Sequence, residues 1–96
     1  MILYHTSNVE IPHPEIKFSR NHLDFGKGFY LNTLKQQAIN YGQRFLRKGD
    51  NAIMNVYELD NNLEGFSRYK YPNHQLCISN QSLLDKHLHF IESIKL

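Results

Sequence analysis

From Thr33 to Gly49 the chain carries one complete helix signal, and no other stretch offers a second of that length. Thr33-Leu34-Lys35-Gln36 reads as a capping box, in which the threonine hydroxyl accepts from the backbone of Gln36 and the glutamine side chain reaches back. Leu34, Ala38, Tyr41 and Phe45 then recur at helical spacing, which predicts one apolar stripe. Arg44, Arg47 and Lys48 complement the negative end of a helix dipole, and Gly49 supplies a stop. The signal predicts a helix over 34–48, and the rest of the chain must arrange itself around it.

What flanks that helix reads as short strands. Ile2 to His5 opens the chain as a strand, followed by a surface loop over 8–21 that holds Pro12 and Pro14. Phe25-Gly26-Lys27-Gly28 turns into a second strand through Phe29-Tyr30-Leu31. Ala52 to Leu59 is rich in apolar and β-branched residues and ends at the turn signal Asp60-Asn61-Asn62. Gln75 to Ile78 is a further strand after Pro72, and Ser79 or Asn80 caps a brief helix through Lys86. Leu88, Phe90, Ile94 and Leu96 alternate as a closing strand interrupted by Glu92. Several strands around one main helix define an α+β fold, with residues 1–96 as a single domain.

Composition narrows the function classes. A chain of 96 residues suits one domain, and at that size folding buries only ~60–65% of the unfolded surface. An apolar content of 41%, with 6 tyrosines and 6 phenylalanines, suffices for one core. The formal charge of +2 is too weak to argue for nucleic acid or a membrane surface as partner, and the clustered basic residues 44, 47 and 48 complement the helix end. Cys77 is the single cysteine, so no internal disulfide forms. The opening Met1-Ile2-Leu3-Tyr4-His5 lacks the pattern of a signal peptide, and no apolar run approaches the ~20 residues of a membrane span. A cytoplasmic protein is expected.

Among 6 histidines, His87-x-His89 has a spacing that places two imidazoles on one face of a strand, as zinc sites do. No third ligand stands at a supporting spacing, so the pair reads as solvent-facing opposite Leu88 and Phe90, and no metal is expected. His13, His22 and His74 fall in loops. Asp24-Phe25-Gly26 matches a kinase triplet without the other kinase parts, and Gly26-x-Gly28 alone is a weak phosphate signal.

Together these fragments say more. Tyr4-His5-Thr6-Ser7, the run Asp24-Phe25-Gly26-Lys27-Gly28-Phe29-Tyr30-Leu31-Asn32-Thr33 and then Gln37-Ala38 resemble a family of small uncharacterised bacterial domains grouped with the ADP-ribosyltransferases. Asn55-Val56-Tyr57-Glu58, the stretch from Tyr69 to Ile78 and that from Leu84 to Phe90 carry the likeness further. The resemblance implies a split β-sheet and NAD as substrate. It implies that His5 holds a ribose hydroxyl, that Tyr30 stacks on nicotinamide, and that Gln75 stands where a glutamate usually stabilises the oxocarbenium-like transition state. His5, Thr6, Ser7, Arg20, Gly28 and Tyr30 are the implied cofactor contacts, with Arg20 on the pyrophosphate and Asp24 orienting the glycine turn. An imidazole offers a donor and an acceptor, and a phenol offers a flat apolar face with a polar tip, so both roles are chemically apt. The reading requires the imidazole of His5 and the phenol of Tyr30 to face each other across a groove.

Two departures qualify what the resemblance implies. Gln75 carries no charge, and losing a preorganised charge of this kind costs ~3–4 kcal/mol of barrier. The long central stretch of the family is replaced by residues 59–74 alone, so the sheet is shortened and its open edges predict a homodimer. Two functions follow as expectations. One is an ADP-ribosyltransferase-like, NAD-binding protein acting on an unidentified protein or nucleic-acid acceptor. The other is a non-catalytic interaction module derived from that fold, bound to a protein partner.

Overall fold

The computed structural model describes residues 1–16, 28–60 and 74–96. Five strands and two helices follow one another as β1 (Ile2–Ser7), β2 (Phe29–Asn32), α1 (Lys35–Arg47), β3 (Ile53–Leu59), β4 (Gln75–Ile78), α2 (Gln81–His87) and β5 (Leu88–Lys95). The strands form one antiparallel sheet in the order β4-β2-β1-β3-β5. The architecture is α+β, as the alternation of strand and helix signals predicts.

Strand parity sorts the side chains into two layers. Leu3, Phe29, Leu31, Tyr57, Leu59, Leu76 and Ile78 pack on one face with Leu84 of α2 and Leu88. The opposite face carries Thr6, Ala52 and Met54 beneath α1, where the Thr6 hydroxyl donates to the Ala38 carbonyl at 2.8 Å. A Cβ built on Gly42 would stand 3.2 Å from Thr6 Cγ2 and 3.4 Å from Ala52 Cβ, so the helix lies close to the sheet on its smallest residues.

That close approach corrects the expected stripe. Ala38 and Gly42 are the buried residues of α1, while Leu34 and Tyr41 are exposed. The capping box is absent as well. Leu34 is the N-cap residue and makes no side-chain cap. Thr33 instead gives both its amide and its hydroxyl to the His74 carbonyl, at 2.9 and 3.2 Å. The β2–β4 pairing carries on to Thr33 and His74, and it captures the hydroxyl that the capping box would have used. Gly49 does end the helix in the left-handed region, at φ 81°. At α2 the Asn80 side chain caps as expected, accepting from the amides of Ser82 and Leu83.

β5 departs from plain alternation. Tyr57 pairs with Phe90 but Val56 pairs with Glu92, so Ile91 is an extra residue on the edge strand. The bulge resets the phase. Leu88 and Phe90 face the Tyr57 layer, whereas Ile94 faces the α1 layer opposite Met54. Glu92 therefore interrupts nothing: it sits where the faces exchange.

Candidate functional site

β1 is registered with β3 over Ile2 to Ser7, but with β2 at one pair only, Tyr4 and Asn32. Beyond that pair the His5 imidazole takes the place of a ladder bond, with Nδ1 2.6 Å from the Tyr30 carbonyl oxygen. A carbonyl can only accept, so Nδ1 carries the proton and Nε2 of the neutral ring is left as an acceptor. Burial disfavours the charged ring and lowers the His5 pKa from its ordinary value, against a smaller upward pull from the Tyr30 hydrogen bond. The ring is stacked on Phe29, centroids 4.3 Å apart at 28°. Phe29 meets Tyr57 edge-on, and Tyr57 meets Phe90 likewise, both at 5.8 Å. His5 thus ends a row of rings along the α2 face of the sheet.

The Tyr30 side chain lies elsewhere. Phe29 and Leu31 fill the α2-side core, so Tyr30 between them projects to the α1 side, where it hydrogen-bonds Cys77 directly across β4. Gln75 pairs with Asn32 on that same face, two residues along from Cys77. Tyr30 and Gln75 thus share one face of the sheet without being paired, while the imidazole of His5 sits on the other face. The facing arrangement of imidazole and phenol expected from the sequence is not present, because strand alternation separates them. What joins His5 to Tyr30 is the tyrosine backbone.

The remaining implied contacts are placed as follows. Thr6 is buried under α1 with its hydroxyl committed to Ala38, a helix anchor instead of a ligand contact. Ser7 ends β1 and donates to Asn8 Oδ1 at 3.3 Å. Arg20, Asp24, His22 and Tyr69 to Tyr71 lie outside the described residues. At Gly28 a Cβ would come within 2.5 Å of Cys77 Sγ and 3.2 Å of the Ile78 carbonyl oxygen, so its missing side chain serves the packing of β2 on β4. Gly28→Ala is expected to lose ~1–3 kcal/mol of stability by overpacking. Urea melts check this, and adding Cys77→Ala should recover part of the loss by removing the sulfur.

His87 ends α2, and His89 lies on β5. Their ring nitrogens Nδ1 and Nε2 each stand 3.2 Å from a different oxygen of Asp60. The hydrogen bond from His87, reinforced by His89, holds the Asp60 carboxyl below its ordinary pKa. The carboxylate spans the two rings and ties the end of β3 to the α2–β5 junction, a bond that the sequence spacing alone did not reveal. Among the described residues no three histidine, cysteine or carboxylate side chains are grouped to hold a metal ion. No helix among them is long and apolar enough to cross a membrane.

The side-chain hub was also missed from sequence. Asn55, directly across from His5, is fully buried. It donates to the carbonyls of His5 and Val9, both at 3.2 Å, and accepts from the Ile11 amide at 2.8 Å. An asparagine in an otherwise apolar strand is the signal that would have found it, since a buried amide must be satisfied.

Fold and site define a small α+β domain with a histidine set into a parting between two strands. A family model described as a protein of unknown function (DUF3990) matches residues 1–73, and the chain belongs to that family. The match stops short of Gln75. Neither the curated proteins nor the solved structures yield a match to this chain.

Proposed function

We propose that this chain is an ADP-ribosyltransferase-like domain in reduced form, with His5 alone as the ribose contact for NAD. The Tyr30 phenol lies on the other face of the sheet, and the groove between the two rings is absent. The observation that carries the reading is the His5–Tyr30 bond at the single-pair junction of β1 and β2. It fixes the tautomer, and it leaves Nε2 as an acceptor for a ribose hydroxyl. The lowered pKa keeps that lone pair free of a proton at neutral pH. Tyr30 contributes its carbonyl, which aims the ring, and Gln75 offers a neutral amide on the far side of β2. Transfer of ADP-ribose to a protein or nucleic-acid acceptor is the fullest form of this function.

A second reading, a non-catalytic interaction module, is favoured by one specific observation. His5 is divided from Tyr30 and Gln75 by the sheet, and Gln75 brings no charge to a developing cation. Such a module would engage a second copy or another protein through the β5 edge, where the bulged Ile91 is 48% exposed.

Calorimetric titration with NAD, run beside an assay for released nicotinamide, separates the readings. Binding with release supports the transferase, and binding without release supports a ligand-binding module. Neither heat nor nicotinamide at millimolar NAD overturns the NAD reading and leaves the interaction module.

A further inference from the structure

Residues 8–16 cross the α2 face of the sheet as a strap, and the side chains that hold it come from three elements. Asn55 on β3 holds Val9 and Ile11. The Tyr57 hydroxyl donates to the Ile11 carbonyl at 2.8 Å. Gln81 of α2 accepts from the Ile16 amide at 2.8 Å and donates to the Pro14 carbonyl at 2.9 Å. On β5, Ser93 donates to Glu10 at 2.9 Å. Of these, only Asn55 also holds the backbone of β1, and it does so at the carbonyl of His5 itself.

We propose that Asn55 is a positioning residue for His5, welding its backbone to the strap and so holding the imidazole in place. The inference rests on the NAD reading above for its functional meaning, though not for its structural content. Three features carry it. Asparagine is poorly suited to a strand interior, and its neighbours Met54, Val56 and Tyr57 are buried. A buried amide is costly unless satisfied, and here both Nδ2 protons and one Oδ1 lone pair are engaged with main chain. Those main-chain groups belong to the residue bearing the candidate ligand group and to the segment running over the same face. An apolar residue of equal volume would fill the space but could not join the two. His5 is held at two points, its ring by the Tyr30 carbonyl and its own carbonyl by Asn55. Slackening the second lets the first drift.

Asn55→Asp tests this with little change of volume. It keeps the acceptor for Ile11 and removes both donors. Nitrogen-15 shifts of the His5 ring should change from a single Nδ1–H tautomer to a mixture, with the circular dichroism retained. NAD affinity should fall roughly 10- to 100-fold, the upper end being the effect of a misplacement of about 1 Å. In a His5→Ala background the same substitution should cost less than about twofold, because no ring remains to be positioned. Unchanged ring shifts, or an equal loss of affinity in both backgrounds, overturns the inference and leaves Asn55 a packing residue. If wild-type protein fails to bind NAD, the previous reading fails and the ring shifts alone decide this one. Hydrogen exchange in the wild type needs no variant. The Ile11 amide should be strongly protected, and exchange there at the rate of an open loop overturns the proposal even if every Asn55 variant fails to fold.

Discussion

Tyr57→Ala is expected to remove a large share of the stability of this domain. Tyr57 is fully buried at the centre of the α2-side core, with Phe29 on one edge and Phe90 on another. Truncating a buried aromatic side chain costs ~3–5 kcal/mol, from lost transfer energy and the cavity left behind. A chain of 96 residues has roughly 5–14 kcal/mol in total. The substitution also removes the hydroxyl that donates to Ile11, so the strap loses a fastening along with the core. Tyr57→Phe separates the two effects. It keeps the ring and is expected to cost ~0.5–1.5 kcal/mol, the net worth of one hydrogen bond. Burial pushes the phenol far above its ordinary pKa, so the hydroxyl stays protonated and donating at neutral pH. Urea melts of the three proteins should give a large midpoint shift for alanine and a small one for phenylalanine. A small shift for alanine would mean that the core does not centre on this residue.

The local elements were legible wherever a short-range rule acts without competition. Gln75 to Ile78 and the cap at Asn80 were readable because a β-rich run and an asparagine before a helix need no distant partner. The Thr33 cap failed because a distant partner existed: the His74 carbonyl, brought alongside by β4, takes the hydroxyl first. The stripe on α1 was misplaced because hydrophobicity ranks Leu34 and Tyr41 above glycine, whereas close packing on Thr6 and Ala52 selects Ala38 and Gly42. At β5 the identity of the apolar residues was clear and their faces were not, since a bulge leaves no trace in composition.

The same limit governs the site. His5 and Tyr30 were picked out as a pair by family likeness, yet which atoms of the pair meet depends on the register of β1 against β2. That register sets imidazole against carbonyl and sends the phenol through to Cys77. The strand order, with β1 between β2 and β3, places Asn55 beside His5 although 50 positions separate them in sequence. No periodicity carries that information.

His5→Ala is expected to raise the Kd for NAD by roughly 10- to 100-fold, the equivalent of about 1.4–2.8 kcal/mol for one lost acceptor in a partly dehydrated site. The variant also leaves the Tyr30 carbonyl without its partner and Phe29 without its stacked ring, so stability must be measured alongside affinity. A pH series distinguishes the causes. The folded pKa of His5 is lowered, so the unfolded chain binds the extra proton more readily. Stability from the neutral ring is therefore full above the unfolded value of ~6.5, and it is lost as pH falls below that value toward the folded pKa. His5→Ala should flatten that slope whether or not NAD binds. A flattened slope with unchanged NAD affinity would leave His5 a structural strut between β1 and β2. A flattened slope with affinity lost would tie the neutral, carbonyl-oriented ring to the ligand, because the acceptor at Nε2 exists only while the proton stays on Nδ1.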